Sequence, residues 1–130
     1  MAEGNGRVYL DAAQIFATKL PVTELYVPEW DGTVRVRGLS AQEAEEIGNL
    51  VSRGKAENIA ARIVALAIID EHGNRVFGDG DVERLGHASF AAIRRIRDAA
   101  QVLSGLIDGQ ALEEAQKNSV TAPSVDLPSA

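Results

Sequence analysis

Apolar and polar positions along this chain follow two different periods. Residues 22–27 (VTELYV) are rich in β-branched and aromatic side chains. Residues 33–37 (TVRVR) alternate strictly, with valines on one face and arginines on the other. Between them lie Pro28, Glu29, Trp30 and the Asp31-Gly32 pair. Asp-Gly between two strand-like runs predicts a β-hairpin, and the proline predicts a loop longer than two residues. From residue 56 onward the apolar steps are three and four. Ile59, Ala60, Ile63, Val64, Leu66 and Ala67 cover a wide arc, which predicts a central helix over residues 56–69. Phe90, Ile93, Ile96, Ala100 and Leu103 form a narrower stripe, which predicts an amphipathic helix up to Ser104.

Capping residues divide the rest. Asp11 with Gln14, and Ser40 with Glu43, have capping-box spacing. The first predicts a short helix through Phe16 that stops before Pro21. The second predicts a helix to about Ser52, broken by Arg53-Gly54-Lys55. Residues 70–75 (DEHGNR) read as a turn, with Val76-Phe77 as a short extended piece behind it. Asp79 or Asp81 should cap a short helix through Leu85, closed by Gly86, and Ser89 caps the long helix that stops at Gly105. A last short helix fits residues 108–118, and residues 119–130 (SVTAPSVDLPSA) read as a disordered tail. The expected fold is α+β and mostly α-helical. An N-terminal β-hairpin packs on a small bundle of four to five helices, in one domain over residues 1–118 with residues 1–8 mobile.

Composition narrows the picture. At 130 residues the chain suits one domain with one core. Its apolar fraction, 45%, is rich in alanine, while aromatics make up only 5%, so the helices should be thin and closely packed. A core of this kind leaves room for a partner or a second copy to add stability. The chain has no cysteine, which excludes disulfides and thiolate chemistry. The apolar run from Ile63 to Ile69 is too short to span a bilayer, and the N-terminus does not read as a signal peptide. A cytoplasmic protein without membrane contact is expected. A net charge of −6 argues against binding nucleic acid through phosphate neutralisation.

Catalytic patterns are missing from the sequence. Serines occur without a nucleophile elbow, and His72 and His87 read as a solvated turn residue and a local cap. The acids from Asp70 to Glu83 do not fit a calcium loop: Arg75 stands where glycine is needed, and Asp81 where a bidentate glutamate is expected. No histidine pair has zinc spacing and no glycine-rich loop cradles phosphate, so neither an enzyme nor a cofactor or metal is expected. Two surface features stand out as partner-binding candidates. One is the hairpin, with Trp30 in its loop and Arg35 and Arg37 on one face. The other is the run Arg94, Arg95 and Arg97 on the long helix. Arg97 falls between the directions of Phe90 and Ile93, where its charge must snorkel or find an acid. It is either an edge residue covering the core or an arginine held for an acidic or amphipathic partner. Trp30 either folds over its hairpin to close the core, the favoured reading, or stays out as an anchor.

The runs VPEWDGTVRVRGLSAQE, ALAIIDEHGNRVFGDGDVERLG, AAQVLSGL and ALEEAQKN occur in one order between Leu20 and Asn118. In that order and spacing the chain resembles the tail assembly chaperones of long-tailed bacteriophages and related prophages. The resemblance implies a non-enzymatic protein of the bacterial host cytoplasm. It implies binding to the tape measure protein, help in recruiting the major tail tube protein, and absence from the mature virion. It also implies a longer form made by ribosomal frameshifting, and Lys117-Asn118 is compatible with a slippery codon pair. Two positions depart from the family pattern: Arg97 replaces a usually apolar or aromatic residue, and Gly78 replaces a usual serine cap. The competing readings are a structural tail or head-tail connector component and, more weakly, a small nucleic-acid-binding regulator using Arg94 to Arg97.

Overall fold

The computed structural model describes residues 8–106. The start of the chain before Val8, the helix expected at residues 108–118 and the tail after it lie outside the described residues. The Asp11 capping box is complete, and helix α1 (Ala12–Phe16) follows it. Strands β1 (Val22–Val27) and β2 (Gly32–Arg37) pair antiparallel, in register from Val22↔Arg37 to Val27↔Gly32. The four residues between them form a 3-10 turn over Pro28–Trp30, and Asp31 takes a left-handed conformation at φ 49°. The Tyr26 hydroxyl donates to Asp31 Oδ1 at 2.8 Å, which closes the loop and raises the Tyr26 pKa.

Opposed residues share a face in an antiparallel pair. Leu25 faces Val34 and Thr23 faces Val36, so the apolar face of the hairpin carries Leu25, Val27, Val34 and Val36. Val27 and Val36 are fully buried. The opposite face carries Glu24, Tyr26, Arg35 and Arg37, as the alternation predicts.

Helix α2 (Ala41–Ser52) starts at the Ser40–Glu43 capping box and buries only Ile47. Helix α3 (Ile59–Ala67) is the central element, with Ala61, Ile63, Val64, Ala65 and Ala67 all buried. It is shorter than the helix expected at residues 56–69, at both ends. Asn58 takes a left-handed backbone at φ 55°, which delays the start. At the other end Ile68 and Ile69 leave the helix and form strand β3 (Ile68–Ile69), antiparallel to β2 through Val36 and Arg35. Two adjacent β-branched residues pack well on a pleated surface, and β2 offers them a free edge. The sheet order is therefore β1-β2-β3, a strand more than the hairpin expected.

The turn after β3 forms as predicted. Asp70 Oδ1 accepts from the backbone N–H of His72 and Asn74, and Gly73 takes φ 86°. The extended piece expected at Val76-Phe77 reduces to one bridge, Ile69↔Arg75. A 3-10 turn over Asp79–Asp81 then leads into helix α4 (Val82–Leu85). Asp81 is its N-cap residue, one of the two expected, but the Asp81 side chain makes no bond into α4: its Oδ2 accepts from the Gly78 N–H at 2.8 Å instead. Gly86 does not close α4 in a left-handed turn, since its φ is −65°. Its value is close approach, because an added Cβ would sit 2.8 Å from Asn58 Oδ1.

Helix α5 (Phe90–Leu103) starts at Ser89, as expected, and packs on α3 and the sheet. Ala92, Ile93, Ile96 and Ala100 are its buried residues. Phe90 is not in the stripe: it is 69% exposed. At 100° per residue it points about 120° away from Ile96, too far round to face α3. The core is one cluster joining Val27 and Val36 of the sheet, Ile63 and Val64 of α3, Val82 and Leu85 of α4, and the α5 stripe.

Candidate functional site

The Asp31 turn and the short β3 together create the site. Strand β3 pairs only with Arg35 and Val36, so the hairpin end of β2 has no strand beyond it. The chain turns away at Asp70 and returns at Val76 and Phe77. What remains is an open groove of about 400 Å³, with walls of Trp30, Val34, Ile69, Val76 and Phe77 and with Arg35, Asp70 and Glu71 among its polar lining. A wider depression of about 1170 Å³ lies between α3 and the Asp79–Asp81 turn. Its walls are mostly polar and charged, with Lys55, Glu57, Arg62 and Glu83, and it suits water better than an apolar ligand. We therefore take the smaller groove as the candidate site.

Trp30 is a wall of this groove and is 40% exposed, outside the core cluster. The favoured expectation that it closes the core is corrected. Its 3-10 turn sits beyond the last sheet pair and faces the groove. Arg35 shares the groove. It lies 3.7 Å from Glu24, and its Nε is buried without an acceptor.

Arg37 is committed elsewhere. Its guanidinium makes a bidentate contact to Glu43 at 2.8 and 2.9 Å, with only 13% of the side chain exposed. Glu43 also accepts from the Ser40 N–H, so one carboxylate caps α2 and ties it to β2. The hydrogen bonds from Arg37 are the main cause that lowers the Glu43 pKa to about 2. The pair contributes in full above the ordinary value of 4.5, and the contribution disappears as pH falls through about 2. Glu43→Gln should lower stability by about 2 kcal/mol at neutral pH, a figure discounted for the partly solvated site. Urea denaturation of both chains between pH 6 and pH 3 checks this: the gap should narrow as the pH falls.

On α5, Arg94 and Arg97 converge on Asp98, at 3.9 and 2.9 Å. Arg97 finds its acid next door and keeps 29% of its side chain exposed, while Arg94 keeps 59%. Neither lines the groove. Sequence reading missed the partner of Arg95, which makes a bidentate contact to Glu29 at 3.2 and 2.9 Å across 66 positions. The Arg95 hydrogen bond is the main cause of a lowered Glu29 pKa. This pair ties the Trp30 turn to the first half of α5. Ile69 and Phe77, two walls of the groove, were also missed as site residues. The apolar pair Val76-Phe77 after a polar turn was the available signal.

Among the described residues, no group of three or more His, Cys, Asp or Glu is placed to hold a metal ion. No helix among them is long and apolar enough to cross a membrane. What the site offers is apolar surface next to an open strand edge.

The fold as a whole is similar to that of a solved phage tail assembly chaperone. That solved structure is the tail assembly chaperone of bacteriophage HK97, matched at a TM-score of 0.55 and 19% sequence identity over 75% of this chain and 93% of that one. The likeness is one of fold. No protein-family model and no curated protein matches the sequence.

Proposed function

We propose that this protein is a tail assembly chaperone of a long-tailed phage or prophage. It binds the tape measure protein in the cytoplasm of the bacterial host, keeps it soluble and helps recruit tail tube subunits. It acts without catalysis or cofactor and is absent from the mature virion. The observation that carries this reading is the fold shared with the HK97 tail assembly chaperone across nearly all of that chain.

Physical chemistry supports the role. A long helical client exposes apolar stripes until the tube encloses it, a standing aggregation hazard. A protein that covers such stripes needs accessible apolar side chains of moderate affinity rather than one deep pocket. Trp30 and Phe90 are exposed at 40% and 69%, and Arg94, held only loosely by Asp98 at 3.9 Å and 59% exposed, can reach acidic positions of the client. A longer frameshifted form is part of the proposal, and a coding sequence lacking a slippery heptamer around Gln116 to Asn118 would remove that part.

A structural tail component would have the same solubility but a different fate. Mass spectrometry of purified virions separates the two: the proposal expects no copies in mature particles. Abundant copies there would replace the chaperone reading with the structural one.

A further inference from the structure

We infer that the face of α5 bearing Phe90, Arg94, Arg97 and Gln101 is a second docking surface, apart from the groove, and that it takes an acidic amphipathic helix of a partner protein. These four residues step by four, three and four, the spacing of a coiled-coil seam. At 100° per residue they fall within an arc of about 60° and run along about 16 Å of helix. The buried stripe of Ala92, Ile93, Ile96 and Ala100 lies to one side, and none of the four belongs to the core cluster. Helix α5 therefore has one seam on the core and another outside it. Phe90 heads the outer seam at 69% exposure. A single exposed ring says little by itself. The charge beside it gives it meaning.

That charge selects the occupant. Helix α5 carries three arginines and one aspartate, in a chain of net charge −6. Arg95 points to another side and is held by Glu29. Arg94 and Arg97 share Asp98, the one carboxylate paired with either among the described residues. One carboxylate cannot balance two guanidinium groups, and their side chains stay 59% and 29% exposed. The outer seam is thus positive on a negative protein, which draws an acidic partner to this face.

Spacing favours a helix over a strand. Arg94 and Arg97 are three positions apart, about 4.5 Å along the axis of α5. Acids three apart on a facing helix share one side at the same rise. Alternate acids of an extended strand stand about 7 Å apart, a poorer match. Duplex DNA also offers negative charge, but two accessible arginines displace few counterions and the chain as a whole repels it. On the chaperone reading the partner is the client, while the chemistry of the face does not rest on that reading.

Two designed peptides test the chemistry. One is a helix of about 20 residues with leucine and glutamate along a heptad seam, and its twin has lysine for each glutamate. By fluorescence anisotropy the full-length chain should bind the acidic peptide but not the twin, and added salt should weaken the binding. Arg94→Glu/Arg97→Glu should bind the acidic peptide at least about tenfold more weakly and gain the twin. Arg94→Gln/Arg97→Gln keeps the long stems, so it should lose the acidic peptide with unchanged circular dichroism. An unmodified chain that ignores the acidic peptide, or equal binding by all three chains, overturns the inference. So does retention of the unmodified chain on duplex DNA at low salt, which would assign the arginines to phosphate. A lower sedimentation mass for the glutamate variant would overturn it too, by assigning the face to contacts between copies. Co-expression separates this inference from the proposed function. A tape measure protein solubilised equally by the unmodified and glutamate chains removes the docking face and leaves the chaperone reading standing. Insolubility with both chains removes the chaperone reading, and the peptides still decide the face.

Discussion

Ile96→Ala is expected to lower the stability of this protein by roughly 3 kcal/mol, within the range for removing a large aliphatic side chain from a packed core. For a domain of this size that is a fall of roughly 15 °C in the thermal midpoint. Ile96 is fully buried, and it stands in the middle of the α5 stripe that faces α3. Its neighbours on the stripe include Ala92 and Ala100, both fully buried, which have no spare bulk to fill the space. The cavity should therefore stay open rather than collapse. Thermal denaturation followed by circular dichroism checks this. A loss below roughly 1 kcal/mol, the size of a small truncation such as Ile→Val, would show that α5 is not packed on α3 as described.

Gly38→Ala is the second large effect, about 2–3 kcal/mol, through overpacking rather than a cavity. An added Cβ at Gly38 would lie 2.8 Å from the Leu103 carbonyl oxygen and 3.0 Å from its carbon, with Pro21 Cγ at 3.2 Å. Backbone cannot swing aside as a flexible side chain can. Relief would require the end of α5 to move, and that end is fastened by Ser104, whose Oγ accepts from the Leu39 N–H at 2.7 Å. A control lies ten positions on. Gly48 sits in α2 with nothing within 4 Å of an added Cβ. Gly48→Ala should stabilise by up to about 1 kcal/mol, the helix propensity difference alone. Urea midpoints of the two variants should move in opposite directions, and equal shifts would mean that the Gly38 junction is not as tight as drawn.

These two positions also mark how far the sequence could be read. The hairpin, α2, the Asp70 turn and the start of α5 were legible because their signals are local. Strict alternation, capping boxes and a side chain bonding its own turn all act within a few residues. Strand β3 was illegible for the opposite reason. Ile68-Ile69 continue a helical apolar pattern, and only the distant edge of β2 turns them into strand. The closeness of Gly38 to Leu103 and of Gly86 to Asn58, and the Glu29–Arg95 pair, likewise depend on contacts between separate elements. Phe90 was misplaced because a step of three was counted into the stripe without its angle from Ile96.

The candidate site was half visible. Trp30 and Arg35 were picked from composition and alternation, and both line the groove. Arg37 was picked on the same grounds but is taken up by Glu43. The groove itself could not be foreseen, because it exists only where β3 ends and Val76 and Phe77 return beside Ile69. Trp30 was expected to close the core, yet it stands as a wall at the surface, which leaves it available as an anchor.

The most direct measurement of the central claim is co-expression of this protein with the tape measure protein of the same phage or prophage. The account predicts that the long helical partner is insoluble alone and becomes soluble when this chain is present. The two should then co-purify, and Trp30→Ala, still folded by circular dichroism, should recover less of the partner. A tape measure protein that stays insoluble with and without this chain would contradict the account.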